Sequence, residues 1–145
     1  MRIPPQMLYN ALIRTHHITS RKKVAALKRA ADTHQCAVLL RSGGCPGIIY
    51  VEGVGKDRVE MWVDVVRRLR YKDFQLATRP GALEIEKESE STKSGREDNK
   101  LGKDKDKVET GIALGLDEVE SVKEFGSIMA QRGVWHWWRR GMGYA

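Results

Sequence analysis

The spacing of apolar residues between Leu8 and Arg79 passes back and forth between period two and period 3.6, and that alternation restricts the fold more than any other feature. Leu8 to Ile18 reads as a strand, with Ala11, Ile13 and Thr15 pointing one way and Leu12, Arg14 and His16 the other. Ser20 is placed to cap a helix of about four turns. On that helix Val24, Leu27, Ala30 and Ala31 share a face, and Arg21, Lys22, Lys28 and Arg29 lie opposite. Residues 36–41 read as a short strand, and Gly43-Gly44-Cys45-Pro46-Gly47 is strong turn punctuation. Ile48 to Val51 is the β-branched run of a buried central strand. Gly53 to Asp57 breaks it, with Asp57 as a candidate cap. Val59, Trp62, Val63, Val66 and Leu69 then follow helical spacing. Phe74, Leu76 and Thr78 alternate until Arg79-Pro80-Gly81 ends the strand. The order βαββαβ predicts an α+β split sandwich with both helices on one face of the sheet.

Residues 84–107 are a different material. Ile85 and Leu101 are their only large apolar residues, and charges of both signs are interleaved. Such a segment cannot bury enough surface to offset chain entropy, so it reads as a disordered insertion, a solvated helix being the alternative. Patterning resumes with a short edge strand at Gly111 to Leu114 and a helix from Asp117 to Met129 carrying Val119, Val122, Phe125 and Met129. After Gly133 comes a last apolar turn, Val134 to Met142. The expected organisation is a core over 1–83, the charged insertion over 84–107, and a C-terminal strand and helix extension over 108–145 packing on the same domain.

A chain of 145 residues is long enough to bury a core unaided. Its apolar runs fall short of the roughly 18 residues of a membrane span, and the Met-Arg-Ile-Pro-Pro start has no signal-peptide core. Two cysteines, Cys36 and Cys45, are too few for a disulfide framework, which points to a reducing, intracellular compartment, nuclear or cytoplasmic. The net charge of +7 is unevenly placed. Residues 1–80 carry 15 Lys/Arg against 6 Asp/Glu, residues 81–107 carry 7 against 8, and residues 108–145 carry 4 against 5. The basic excess therefore lies in the patterned half, which suggests a polyanion partner such as RNA or DNA, with a merely soluble basic surface as the equal alternative on charge alone.

Three surfaces could carry binding. If the sheet face away from the helices is open, Arg14, His16 and Tyr50 (or else Ile49) stand on it, and a ring among cations can stack a base while holding phosphates. The alternative is a face covered by the C-terminal segment. The stripe Arg21, Lys22, Lys28, Arg29 can track a phosphate backbone, or be an ordinary solvated helix face. Arg67, Arg68, Arg70 and Lys72 cluster where the second helix ends, where cations also favour the macrodipole. Trp135, Trp137 and Trp138 beside Arg139-Arg140 suit core packing or a lid, with a protein-binding or base-stacking surface as the sharper reading.

Catalytic and metal chemistry are not expected. His16 and His17 point to opposite faces of a strand, Cys36 and Cys45 have no zinc spacing, and pairing of a cysteine with either histidine would need a tertiary coincidence. Gly53-Val54-Gly55-Lys56 fails the spacing of a phosphate loop, and no carboxylate pair stands out. No cofactor and no small-molecule substrate are implied, and no membrane partner.

The stretch from His16-His17 through the basic helix, Pro46-Gly47-Ile48-Ile49-Tyr50-Val51-Glu52-Gly53 and Trp62 resembles a particular domain. It is the C-terminal domain of pre-mRNA-processing factor 3, a small nuclear ribonucleoprotein component, found also after RWD domains in a group of eukaryotic proteins. The likeness is closer to the latter group and extends to Phe125-Gly126, Gly133 and the terminal aromatic helix. It implies a ferredoxin-like fold, contact with duplex and single-stranded RNA, and a link to splicing and mRNA processing in the nucleus. It transfers RNA contacts onto Arg14, His16, Arg21, Lys22, Arg29 and Tyr50. A lysine common in that family before the Pro-Gly is Cys45 here, and the chain starts at the strand itself, so recruitment to a spliceosomal particle is not expected. With the stripe residue Lys28 and the strand-end Arg79, the expected RNA contacts are Arg14, His16, Arg21, Lys22, Lys28, Arg29, Tyr50 and Arg79. A non-catalytic RNA-binding domain is the expected function, and a protein-interaction module using the Trp-rich helix or a sheet edge is the alternative.

Overall fold

The computed structural model describes residues 7–86 and 114–144. Strand β1 (Leu8–Thr15) leads to helix α1 (Arg21–His34), strands β2 (Cys36–Arg41) and β3 (Gly47–Val54), helix α2 (Lys56–Arg68) and strand β4 (Gln75–Ala82). Strand β5 (Gly115–Val119) and helices α3 (Val122–Arg132) and α4 (Trp135–Met142) follow. The architecture is α+β, with four helices and one open five-stranded sheet in the order β4-β1-β3-β2-β5 among the described residues. Neighbours are antiparallel except β2 and β5, which run parallel.

Local chemistry explains most boundaries. Ser20 caps α1 by accepting from the Lys23 amide at 3.2 Å. β1 stops at Thr15 rather than Ile18 because the His16 amide leaves the ladder and donates to the Lys72 carbonyl, 3.0 Å away. α2 begins at Lys56 with Gly55 at its cap, so Asp57 lies in the first turn instead of capping. β4 does not end at Arg79-Pro80-Gly81 but runs through it. It is an edge strand, where the missing proline N–H costs no ladder bond, and its pairing with β1 shifts register beside Leu12.

The C-terminal part departs further from expectation. The described edge strand is Gly115–Val119; residues 111–113 of the expected strand lie outside the described residues. The helix expected from Asp117 starts only at Val122, because 117–119 pair with Leu39 to Arg41 and Ser121 caps the helix through the Glu124 amide at 3.0 Å. Most of the charged insertion, from residue 87 on, also lies outside the described residues. Its first residues are fixed: the Glu86 amide donates to the Gly133 carbonyl at 2.7 Å. The Glu86 carboxylate accepts from the amides of His136 and Trp137, 3.0 and 2.9 Å away, capping α4.

Both faces of the sheet are covered. On one, Ala11, Ile13, Val38, Leu40, Ile49 and Val51 meet Val24, Leu27, Trp62 and Val66 of α1 and α2. On the other, Leu12, Leu39, Ile48 and Tyr50 meet Phe125, Met129, Trp138 and Met142 of α3 and α4. Phe125 and Trp138 stack at 5.9 Å. Such rings bury roughly 150–250 Å² each, or about 4–6 kcal/mol of transfer free energy apiece as an upper bound. α4 sits so close that a Cβ on Gly141 would lie 2.6 Å from Leu12 Cδ2 and 2.7 Å from Thr78 Oγ1. Of the two arrangements the sequence allows, the open face is not found and the face is covered by the C-terminal segment: the sheet is the middle layer of three.

That second interface contains a buried ion pair. Arg132 Nε and Nη2 donate to the two Glu52 oxygens at 2.7 and 3.0 Å, and both side chains are 4% exposed. The Tyr50 hydroxyl donates to the same carboxylate at 2.7 Å and accepts from Asn10 Nδ2 at 3.2 Å. Burial opposes the charged form of Arg132, but the hydrogen bonds and charge of Glu52, with smaller help from Tyr50, together outweigh it and the pKa is raised. Arg132→Met should cost about 3–5 kcal/mol in urea denaturation, since it strands a buried carboxylate. Adding Glu52→Gln should restore at least half of that loss, as measured by the same titration.

Candidate nucleic-acid interface

Helix α1 carries Arg21, Lys22, Lys23, Lys28 and Arg29 against the single acid Asp32. Because Val24, Leu27, Ala30 and Ala31 are buried against the sheet, helical spacing turns most of these cations outward. Lys22, Lys28 and Arg29 are exposed. Two others have structural duties. Arg21 forms a bidentate pair with Glu118 at 2.9 to 3.3 Å, which ties α1 to the β5 edge, and Lys23 lies over the Tyr71 ring at 4.9 Å. The Tyr71 hydroxyl is buried with no hydrogen-bond partner among the described residues, and burial pushes its pKa up to about 12 against the opposing charge of Arg21.

The second helix of the layer ends in Arg67 and Arg68, with Arg70 following, and all three are exposed. Arg67 pairs with Asp64 at 3.7 Å and lies over the Phe74 ring at 5.5 Å. Exposed pairs of this kind hold side chains weakly and leave the cations accessible. Arg79 stands on the β4 edge and borders a cleft of ≈ 440 Å³ shared with Lys56, Arg67 and Pro80, as well as Glu60 and Asp64. Sequence reasoning did not foresee this cleft, because it joins an edge strand to a helix through turns whose geometry is not written in local spacing.

The other expected contacts stand elsewhere. Arg14 does face away from α1 and α2, but its Nη1 donates to the Met142 carbonyl at 2.8 Å, at the C-terminal end of α4. Tyr50 cannot stack a base: it is 0% exposed, packs edge-on against Trp137 at 5.6 Å and is fixed by Asn10 and Glu52. Burial, then the adjacent Glu52 charge, holds its hydroxyl well above the ordinary tyrosine range. His16 is at the rim where β1 ends, partly exposed. The structure thus gathers Arg21, Lys22, Lys28 and Arg29 on one helix surface and leaves Arg14, His16, Tyr50 and Arg79 apart from it. Trp138 is buried, and Trp135 and Trp137 are half-buried, so the tryptophan cluster is largely packing.

The tertiary coincidence that a cysteine–histidine pairing requires is present here, against expectation. Cys45 Sγ lies 3.8 Å from His16 Nδ1, and Asp73 Oδ2 lies 3.6 Å from the same nitrogen. Loop residues from three places in the chain make this cluster, so spacing along the sequence could not announce it. Among the described residues no group of three or more His, Cys, Asp or Glu side chains is arranged to hold a metal ion, and no helix is long and apolar enough to cross a membrane.

Compared with models of known protein families and with curated proteins, the chain matches none.

The burial of Tyr50 has a direct test. Tyr50→Phe should lower stability by about 1–2 kcal/mol, because Asn10 and Glu52 lose a partner, and should leave affinity for any nucleic acid within twofold. Urea denaturation and fluorescence anisotropy with labelled RNA measure the two effects separately.

Proposed function

We propose that the chain is a non-catalytic RNA-binding domain of ferredoxin-like fold, related to the C-terminal domain of the splicing factor named above. The fold reading is supported by the first four strands: their order is β4-β1-β3-β2, all neighbours are antiparallel, and α1 and α2 lie on one face. β5 and the α3–α4 layer are then additions to that unit. The function reading draws on a different observation. With both sheet faces filled, the exposed cations of α1 offer a basic surface outside the sheet, and Lys22, Lys28 and Arg29 stand on it.

Such a surface binds through phosphates. Lysine and arginine side chains displace counterions from the nucleic-acid backbone, so affinity falls steeply as salt rises and depends little on sequence. The buried position of Tyr50 removes base stacking on the sheet from the mechanism. What remains is a helix that tracks a backbone through the exposed cations Lys22, Lys28 and Arg29. Arg21 is left out of the proposed contact set, since its pairing with Glu118 serves the fold.

Replacing Lys22, Lys28 and Arg29 together by Glu should weaken binding of single-stranded and stem-loop RNA by at least about tenfold. The slope of log affinity against log salt should shrink by about 2, given roughly 0.7 per lost contact on a single strand. Circular dichroism should be unchanged, because the three side chains are exposed. Binding by the unaltered protein that is absent at low salt, or unaffected by the triple substitution, would overturn this reading. Salt-tolerant capture of a protein would favour the interaction-module alternative.

A further inference from the structure

Three loops meet at one end of the sheet, and hydrogen bonds fix each of them. The His16 amide donates to the Lys72 carbonyl at 3.0 Å, which joins the end of β1 to the loop before β4. Thr15 pairs with Gly47, where a Cβ would collide with Thr15 Oγ1 and Ile18. Arg41 Nη1 donates to the Pro46 carbonyl at 2.8 Å while its Nε donates to the Glu120 carbonyl at 2.9 Å, so the turn that carries Cys45 is held from behind. Cys45 is exposed, and His16 and Asp73 sit beside it on the wall of a cleft of ≈ 480 Å³. Arg14 and Phe74 complete that wall.

The arrangement suits a particular chemistry. Sulfur and carboxylate approach the same ring nitrogen, His16 Nδ1, whereas a hydrolytic relay needs the carboxylate on the opposite nitrogen. The geometry sets a thiol beside a ring nitrogen that can accept its proton, without the rest of a turnover machine. The second cysteine provides a contrast within the same chain. Cys36 is buried at the start of β2, its Sγ against the carbonyls of His34 and Arg58, and burial pushes its thiol up to about 11 although Arg58 opposes this. The five residue steps from Cys36 to Arg41 alone span roughly 16 Å, too far for the two cysteines to form a disulfide with each other.

We propose that Cys45 is a reactive thiol activated by His16, and that the cleft admits a small disulfide that modifies it. Cys45 gives its proton to His16 Nδ1, and the thiolate attacks one sulfur of the disulfide. The Cys45 S–S bond forms as the incoming S–S bond breaks, and the departing half leaves as a thiolate that recovers the proton. Cys45 is oxidised to a mixed disulfide, the disulfide is reduced to one free thiol, and no other reactant is needed. The modification is stoichiometric and is independent of whether the chain binds RNA.

The test uses the full chain with three small disulfides, Ellman's reagent, oxidised glutathione and dithiodipyridine. Rates are normalised to a short peptide carrying Gly-Gly-Cys-Pro-Gly. The native protein should take up one equivalent, located at Cys45 by mass spectrometry, about fivefold or more faster than the peptide. Cys36 should react only in denaturant. Cys45→Ser should abolish native reactivity, and His16→Asn should remove most of the rate excess at an unchanged thermal midpoint. A Cys45 rate equal to that of the peptide, native modification of Cys36, or a rate excess that survives His16→Asn would each overturn the proposal. The peptide comparison decides the matter even if His16→Asn folds poorly.

Discussion

Strand β3 is buried on both faces from Gly47 to Gly53, and the rest of the molecule follows from that. A strand with apolar side chains on both faces needs a layer on each side of the sheet. The first layer comes early and locally, as α1 and α2 return over the sheet. The second comes from α3 and α4, beyond a charged segment that has almost nothing to bury. Ile48 and Tyr50 are the contacts that wait for it, and without α3 and α4 they would lie bare to water. Glu52 makes the dependence sharper, since a carboxylate in that position is unfavourable until Arg132 arrives. The pair adds little net stability over an apolar replacement of similar volume, but it makes a shifted seating of α3 costly. Its value is in registering the second layer on the first.

The parts of this fold that were legible in the sequence are those built by neighbours along the chain. Period two and period 3.6 located β1, α1, β2, β3 and α2, and local chemistry marks the start of α1 at Ser20 and the end of α3 at Gly133. β4 was cut short because Pro80 reads as a strand stop, an inference valid for central strands and not for an edge. The start of α3 was misplaced although Ser121 and Glu124 stand at capping-box spacing; the apolar positions Val119, Val122, Phe125 and Met129 imitate a continuous helical stripe. The open face was a conflict inside the sequence itself. The run Ile48 to Val51 suggested burial on both sides, while the position of Tyr50 suggested a stacking surface, and packing decided for burial. The Glu52–Arg132 pair and the Cys45–His16–Asp73 cluster join residues far apart in the chain, and no local spacing encodes them.

Covering the second face changes where binding can occur. A βαββαβ sheet with a free face can present rings and cations together on a flat platform, but here the ring is inside and Arg14 closes the end of α4. Cations on α1 are then left to act as charges on a convex helix, which suits a phosphate backbone and supplies little base discrimination. Charge is also spent internally. Arg21 joins α1 to β5 through Glu118, which the Ser42 hydroxyl also donates to at 2.9 Å, so the basic helix is anchored on the short edge strand.

The edges and ends of the sheet remain once the faces are gone. β4 carries Pro80 and two register shifts, and β5 has only five residues, so neither edge offers a long flat ladder to another strand. The loop end differs because hydrogen bonds hold its backbone while its side chains point outward, a combination that fixes positions without burying them. Cys45, His16 and Asp73 hold their relation through Gly47, Lys72 and Pro46 rather than through one another. A cluster held in this way can be changed chemically without unfolding the sheet, since the bonds that position it are made by main-chain groups that the change leaves alone. Buried Cys36 has the opposite character: modifying it would have to open the α2 packing first. The same sheet thus protects one thiol and presents the other, and the difference lies in whether a strand interior or a loop end supplies the surroundings.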